Sequence, residues 1–402
     1  MVKNVLFFMS NTGGGHRAAA EAIRDALFVR HGSQNINVQM VDVFKHSLFP
    51  LNYMPELYPH WIQYSKSSWG LGYNLSNTRR RARVLSRGMY LTSGPSLRRM
   101  VRSNPADVVV CVHSVVARPS LSALLTLDRR PPFITVVTDL VSTHMFWYDT
   151  RAEHCFVPTQ EAYTRGLECG LRPDQMSISG LPVNPSFNSG LLPKAEARRE
   201  LGWDPDLPAV LLVGGGEGMG PLYDIARAVN ARQGRFQLVI IAGKNSALKA
   251  RLEVAHWNHP THIYGFVNDM ARKMSAADIL VTKAGPSTIC EAGIAGLPMI
   301  LSDAIPGQET GNVEYVVRNG AGVYAPGPDA VAASVSAWLA EGPAGLERRS
   351  ARTRALGRPD AVWQIADMVW EQAHRAPIST RRRPMFDMPA DFDMGKDYGT
   401  KM

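Results

Sequence analysis

The sequence predicts an α/β protein of two doubly wound, parallel-sheet domains facing each other across a cleft. Three observations carry that expectation. Short apolar runs rich in β-branched residues alternate with helical stretches, the alternation runs through the chain twice, and in each half a glycine-rich turn directly follows a buried strand. At 402 residues the chain exceeds one ordinary core and suits two domains.

The elements follow in order. Val5-Leu6-Phe7-Phe8-Met9 is far shorter than a signal-peptide core and runs straight into Gly13-Gly14-Gly15-His16, so 2–9 reads as the first buried strand. Further strands are expected at 36–43, 107–112, 133–138 and 155–157, within a first domain over 1–190. Gly180-Leu181-Pro182-Val183-Asn184-Pro185 and the 190–193 stretch supply a hinge before a helical 195–201. The second domain, 191–375, repeats the scheme with strands at 209–213, 237–242, 262–264, 278–281 and 298–301. Its glycine turn, Gly214-Gly215-Gly216-Glu217-Gly218-Met219-Gly220-Pro221, leaves the strand 209–213. Residues 376–402, with Arg381-Arg382-Arg383 and no convincing period, are expected to be disordered.

Composition narrows the class. With 45% apolar and 20% charged residues the chain reads as a soluble globular protein, and no apolar run approaches the ~20 residues that span a bilayer. Cys111, Cys155, Cys169 and Cys290 lie far apart without a CxxC pair, which argues against a zinc knuckle or a disulfide framework and for a reducing cytosol. The net charge of +9 has a location: 57–106 contains no Asp or Glu but holds Lys66 and eight arginines, including Arg79, Arg80, Arg81 and Arg83. Tyr53, Trp61, Trp69 and Tyr73 precede or interleave with them. Amphipathic rings favour a headgroup boundary and basic side chains favour anionic lipid, so this block reads as a membrane-surface site. The plainer alternative is a solvated basic face with its rings packed inward. No nucleic-acid recognition fold accompanies the charge.

The two glycine turns stand at the edge of their sheets where ligands of doubly wound folds bind. Lacking Cβ atoms, they let backbone N–H groups approach a diphosphate, and the helix that follows presents its positive end. Two such turns point to a nucleotide-sugar enzyme. In Lys283-Ala284-Gly285-Pro286-Ser287-Thr288-Ile289-Cys290-Glu291 a strand ends, and Ser287 and Thr288 can cap a helix whose first turn meets an anion. Glu291 can accept both hydroxyl protons of a ribose, or else close a capping box. In the polar loop Pro306-Gly307-Gln308-Glu309-Thr310-Gly311-Asn312, Gln308 and Glu309 are placed to reach sugar hydroxyls. His16, at a helix amino terminus, has its pKa lowered by the dipole and stays neutral, able to accept a proton; the alternative is a structural cap. Asp139 follows a strand and can project into the cleft, and His113 ends another strand, as an acceptor-site residue or a satisfied polar group.

These blocks resemble a known family. Met9-Ser10-Asn11-Thr12-Gly13-Gly14-Gly15-His16-Arg17-Ala18, the 214–221 run, Thr282-Lys283-Ala284-Gly285-Pro286 and Gly307-Gln308-Glu309-Thr310-Gly311-Asn312-Val313, in that order over roughly 5–370, look like monogalactosyldiacylglycerol synthases. Those are inverting glycosyltransferases of the GT-B fold, two Rossmann-like domains across a cleft, related to the peptidoglycan transferase that glycosylates lipid I. The resemblance implies a UDP-sugar donor, UDP-galactose or UDP-glucose, diacylglycerol as acceptor and a β-monoglycosyldiacylglycerol as product. It places Gly14, Gly15, His16 and Thr138-Asp139-Leu140 with Trp147 near the acceptor, a phosphatidylglycerol-sensitive region at Pro50 and Trp147, and uracil against backbone groups of Phe266 and Val267. Ser287 departs from the Gly that plant members tend to have. No transit peptide precedes the first strand, so the expected location is peripheral, on the cytoplasmic face of a membrane.

The expected chemistry has His16 or Asp139 deprotonating the glycerol hydroxyl, which attacks the anomeric carbon as UDP departs. Backbone groups of Gly214, Gly215, Gly216, Glu217 and Gly218 and the helix ends take up the leaving charge, with no metal or other cofactor, because no DxD-type carboxylate pair occurs in the cleft segments. The expected partners are the UDP-sugar, diacylglycerol and anionic lipids, with no nucleic acid. A UDP-sugar 2-epimerase of the same architecture would have no use for a lipid surface. An NAD-dependent dehydrogenase fits Gly13-x-Gly15-x-x-Ala18 and Asp42 but leaves the second glycine turn unexplained.

Overall fold

The computed structural model describes residues 2–11, 14–47, 51–54, 56–57, 61, 65–218 and 220–380. Its strands are β1 (Lys3–Met9), β2 (Ile36–Asp42), β3 (Val108–Cys111), β4 (Arg129–Arg130), β5 (Phe133–Val136), β6 (His154–Val157), β7 (Met176–Ile178), β8 (Ala209–Val213), β9 (Gln237–Ile241), β10 (Thr261–Tyr264), β11 (Ile279–Lys283), β12 (Met299–Asp303), β13 (Gly322–Tyr324) and β14 (Ile378–Ser379). Two six-stranded sheets run in the orders β2-β1-β3-β5-β6-β7 and β10-β9-β8-β11-β12-β13, with every neighbour parallel. This is the GT-B arrangement of two Rossmann-like lobes.

The continuous apolar runs exist because both faces of each sheet are covered. Along β1, Val5 and Phe7 point into one core layer while Leu6 and Phe8 point into the other. Along β8, Ala209, Leu211 and Val213 face one layer and Val210 and Leu212 the opposite one. The alternation is the two-residue period of a pleated strand.

Three local expectations are corrected. The helix Ala361–Ala373, which the sequence assigned to the second domain, packs on the first sheet, where Val362, Ile365, Ala366, Val369 and Ala373 fill the same layer as Val5 and Phe7. Those five residues form one apolar stripe at helical spacing, and the open face of the first sheet beside the Gly14–His31 helix is what covers it. Residues 376–380 are ordered rather than disordered, because that crossover brings β14 beside β4 as an antiparallel pair and the Thr380 N–H donates to Asp128 O at 3.1 Å; 381–402 lie outside the described residues. The edge strands β7 and β13 escaped the sequence reading, since Met-Ser-Ile and Gly-Val-Tyr are three residues each and offer no apolar run.

The acid-free block forms two helices, Lys66–Ser76 and Arg79–Ser103. The first lies against the second lobe, where Gly70 leaves no room for a side chain beside Pro306 and Lys66 ion-pairs with Asp303 at the end of β12.

Candidate active site

In each sheet the strand order reverses next to the first strand of its lobe, between β1 and β3 and between β8 and β11. Segments leaving these strands diverge to opposite faces and open a crevice at the carboxyl edge. His16 follows β1 and His113 follows β3; the second glycine turn follows β8 and Gly285 follows β11.

On the first lobe, His16 Nδ1 lies 2.9 Å from Val112 O and 2.8 Å from Thr138 Oγ1. A carbonyl only accepts, so Nδ1 carries the proton and Nε2 keeps its lone pair. Loss of solvation pushes the pKa of His16 down to about 4; the sequence reading had placed that effect in the helix dipole, whereas burial is the leading cause. The ring stands 4.3 Å from that of His113, whose pKa is held well below the usual range by burial and then by His16. Asp139 is buried, accepts from Trp147 Nε1 at 2.6 Å and from Gln308 Nε2 at 3.4 Å, and burial raises its pKa to about 6. A cavity of about 280 Å³ opens beside these groups, walled by Phe44, Met54, Trp61, Trp69, Tyr73 and Phe146.

On the second lobe the glycine turn approaches the backbone of its neighbour. Gly243, at φ +60°, has no room for a side chain, since a Cβ would stand 2.5 Å from Gly216 O; Gly218, at φ +61°, is blocked in the same way by Ala242 O. Glu217 is exposed and pairs with Lys244 at 2.9 Å, and Lys244 sits 5.7 Å from the ring centre of the exposed Phe266. Val267 packs against the second-lobe core.

The helix Pro286–Ala295 is capped by Gly285 with no side-chain hydrogen bond. Ser287 and Thr288 are therefore first-turn residues rather than caps, and Glu291 lies too far along to close a capping box. The first-turn N–H groups remain available to an anion. Burial lifts the Glu291 carboxyl to about 7. Glu309, expected to reach a sugar, is instead buried and committed within its own lobe: Oε1 meets Lys283 Nζ at 2.6 Å and Oε2 accepts from the Ile305 N–H at 2.9 Å. The Oε1 of Gln308 is buried with no hydrogen-bond partner among the described residues.

The lobes meet at these residues. A Cβ on Gly15 would stand 3.5 Å from Ser287 Oγ, and Gln308 bonds Asp139 across the cleft. The structure thus brings together His16, His113, Asp139, Trp147, Gln308 and the start of the Pro286–Ala295 helix. Trp147 is fully buried, so it orients Asp139 and cannot itself touch lipid. Pro50 lies outside the described residues, as does Gly13. Arg79, Arg80, Arg81 and Arg83 are exposed on their helix, away from the cavity lining. Sequence reasoning placed Thr138 near the acceptor without seeing that it supports His16, and read Tyr73 as a headgroup ring, whereas it walls the cavity and donates its hydroxyl to Ser142 O.

Residues 16–183 match the family described as monogalactosyldiacylglycerol (MGDG) synthase, and 209–362 match the glycosyltransferase family 28 C-terminal domain. The chain is 40% identical over 398 residues to the probable monogalactosyldiacylglycerol synthase 2, chloroplastic, of Oryza sativa subsp. japonica, covering 95% of this chain and 83% of that one. It is 38% identical over 389 residues to monogalactosyldiacylglycerol synthase 2, chloroplastic, of Arabidopsis thaliana, covering 94% and 83%. The fold is shared with MurG of Acinetobacter baumannii, at a TM-score of 0.58 and 15% identity over 92% of this chain and 99% of that one. Likeness to synthases along nearly the whole length, with both lobes matched by family models, leaves one assignment: the chain belongs to the monogalactosyldiacylglycerol synthase family.

Proposed function

We propose that the protein transfers galactose from UDP-galactose to the free hydroxyl of diacylglycerol at a membrane surface, inverting the anomeric centre. The coarser statement, a glycosyltransferase that makes a galactolipid from a UDP-sugar and diacylglycerol, follows from the family. One observation carries the mechanism: His16, with its Nε2 unprotonated, lines a mostly apolar cavity, while a Cβ on the neighbouring Gly15 would stand 3.5 Å from Ser287 Oγ at the start of the donor-side helix. An alcohol in that cavity and a diphosphate on that helix bring acceptor, base and leaving group within one cleft.

His16 is the base in this reading. Its tautomer is fixed by Val112 O and it stays neutral above about pH 4. Asp139, ionised above about pH 6, is held by Trp147 and Gln308 and supplies the negative charge that favours the imidazolium as it forms. Glu291 receives the ribose hydroxyls, and the glycine turn with the Pro286–Ala295 helix start receives the phosphates. The scheme routes no step through a metal: backbone amides of the glycine turn and the helix start meet the leaving charge.

Membrane attachment is proposed at the Lys66–Ser76 and Arg79–Ser103 helices. Leu71, Leu75, Val84, Leu85 and Leu91 are exposed there among the arginines, a pairing of apolar and basic side chains suited to an anionic leaflet. Among the described residues no helix is long and apolar enough to cross a membrane. The test incubates the purified chain with diacylglycerol in anionic vesicles and UDP-galactose or UDP-glucose, and identifies the glycolipid by mass and anomeric coupling. A β-galactolipid is expected; release of free sugar without glycolipid, or an α-product, would refute the reading. Replacing Arg79, Arg80, Arg81 and Arg83 with Glu should abolish vesicle flotation at low salt, and undiminished flotation would move the contact elsewhere.

A further inference from the structure

Lys283 was part of a motif but had no task. It ends β11 one residue beyond Thr282, which is in register with Val213, the last residue of β8 before the glycine turn. Its Nζ is 3.2 Å from where a Cβ on Gly285 would lie, over the start of the Pro286–Ala295 helix. The side chain is 31% exposed. An ammonium has three donors, and among the described residues one is used, by Glu309. Glu309 in turn has its second oxygen fixed by the Ile305 N–H, so the cation is positioned by a carboxylate that cannot swing away.

We infer that Lys283 is a further catalytic residue, whose ammonium bonds the diphosphate of the donor and balances the charge left on departing UDP. The inference rests on the UDP-sugar reading above. In the transfer, the acceptor oxygen bonds to the anomeric carbon while the bond from that carbon to the phosphate oxygen breaks. The hydroxyl proton goes to His16 Nε2 and the electron pair stays on the phosphate oxygen. Lys283 loses no proton; its hydrogen bonds strengthen as the charge develops. The glycine turn, the helix start and this side chain are then three positive elements around one anion, of which only the side chain carries a full charge. Glu309 is its positioning residue.

UDP and UMP differ by the β-phosphate, so their titration into the full chain by calorimetry isolates this contact. Wild type should prefer UDP, and Lys283→Met should weaken UDP at least tenfold and UMP less than twofold, with Lys283→Arg retaining part of the preference. Because Lys283→Met leaves the Glu309 carboxylate buried without its cation, the double variant Lys283→Met/Glu309→Gln is titrated in parallel and should show the same selective loss. Turnover of Lys283→Met at saturating donor should fall at least tenfold. Equal losses for UDP and UMP, or an unchanged preference in either methionine variant, would overturn the lysine assignment alone. A wild-type chain that binds neither nucleotide would overturn the UDP-sugar reading together with it.

Discussion

On the first-lobe side of the cleft the ionisable groups are stripped of water: His16 and His144 are pushed down to about 4 and Asp139 up to about 6, with burial the leading cause each time. On the second-lobe side most charges are paired instead, Lys283 with Glu309 and Lys244 with Glu217, around a turn whose working groups are backbone amides. Both sides use the same sheet order and the same kind of strand-to-helix turn. The difference shows what each task requires. Moving a proton needs groups whose protonation is set by desolvation, whereas gripping a permanent anion needs fixed dipoles and cations that stay charged.

The sharpest way to break the comparison is His16→Ala, which should lower turnover by about 10²- to 10⁴-fold while UDP affinity, measured by calorimetry, stays within about twofold. A matching loss of UDP affinity would erase the division of labour. Next is Asp139→Asn. The folded carboxyl titrates near 6 against an ordinary 3.8, so the folded chain binds the extra proton between those values, stability falls as the pH rises from 3.8 to 6, and the full cost is present above 6. The variant should be more stable than wild type above pH 6, by up to ~3 kcal/mol in denaturant unfolding, with the gain fading below about pH 4. It should also lose the acid limb of kcat/KM near pH 6. Lower stability at pH 8 would mean the carboxylate is compensated and the contrast false. His16 and His144 act with the opposite sign: their lowered pKa values make wild type lose stability as the pH falls from 6.5 to about 4.

Smaller effects sharpen the donor side. Glu291→Gln should weaken UDP about tenfold, the loss of one charge-assisted hydrogen-bond pair, and leave turnover at saturating donor nearly unchanged. Unchanged UDP binding would remove Glu291 from the ribose. Arg318 pairs with Glu161 across the lobes, but its side chain is 64% exposed, so Arg318→Ala should alter the unfolding free energy by less than ~1 kcal/mol.

Much of this was legible in the chain. The strands of both sheets that carry continuous apolar runs, the two glycine turns and the place of His16 behind the first of them follow from local pattern, and the structure puts each at the expected sheet edge. The misreadings share a cause. Ser287 and Thr288 look like caps in sequence because Ser and Thr are good caps, but Pro286 at the first helical position moves the cap to Gly285. Glu309 looks like a cleft residue in a polar loop, and only the approach of Lys283 from β11 shows where its carboxylate goes. Trp147 looks like an interfacial ring and turns out to be a buried donor to Asp139.

What the sequence determined alone is what depends on neighbours along the chain: strand and helix periods, the glycines that permit a close turn, the location of the excess charge. What only the tertiary structure decided is which groups lose their water and which meet across the cleft. Desolvation and pairing depend on residues 96 to 169 positions apart, such as Val112 and Thr138 around His16 or Gln308 beside Asp139. Those distances are fixed by the packing of two sheets and a crossing helix, and no local pattern records them.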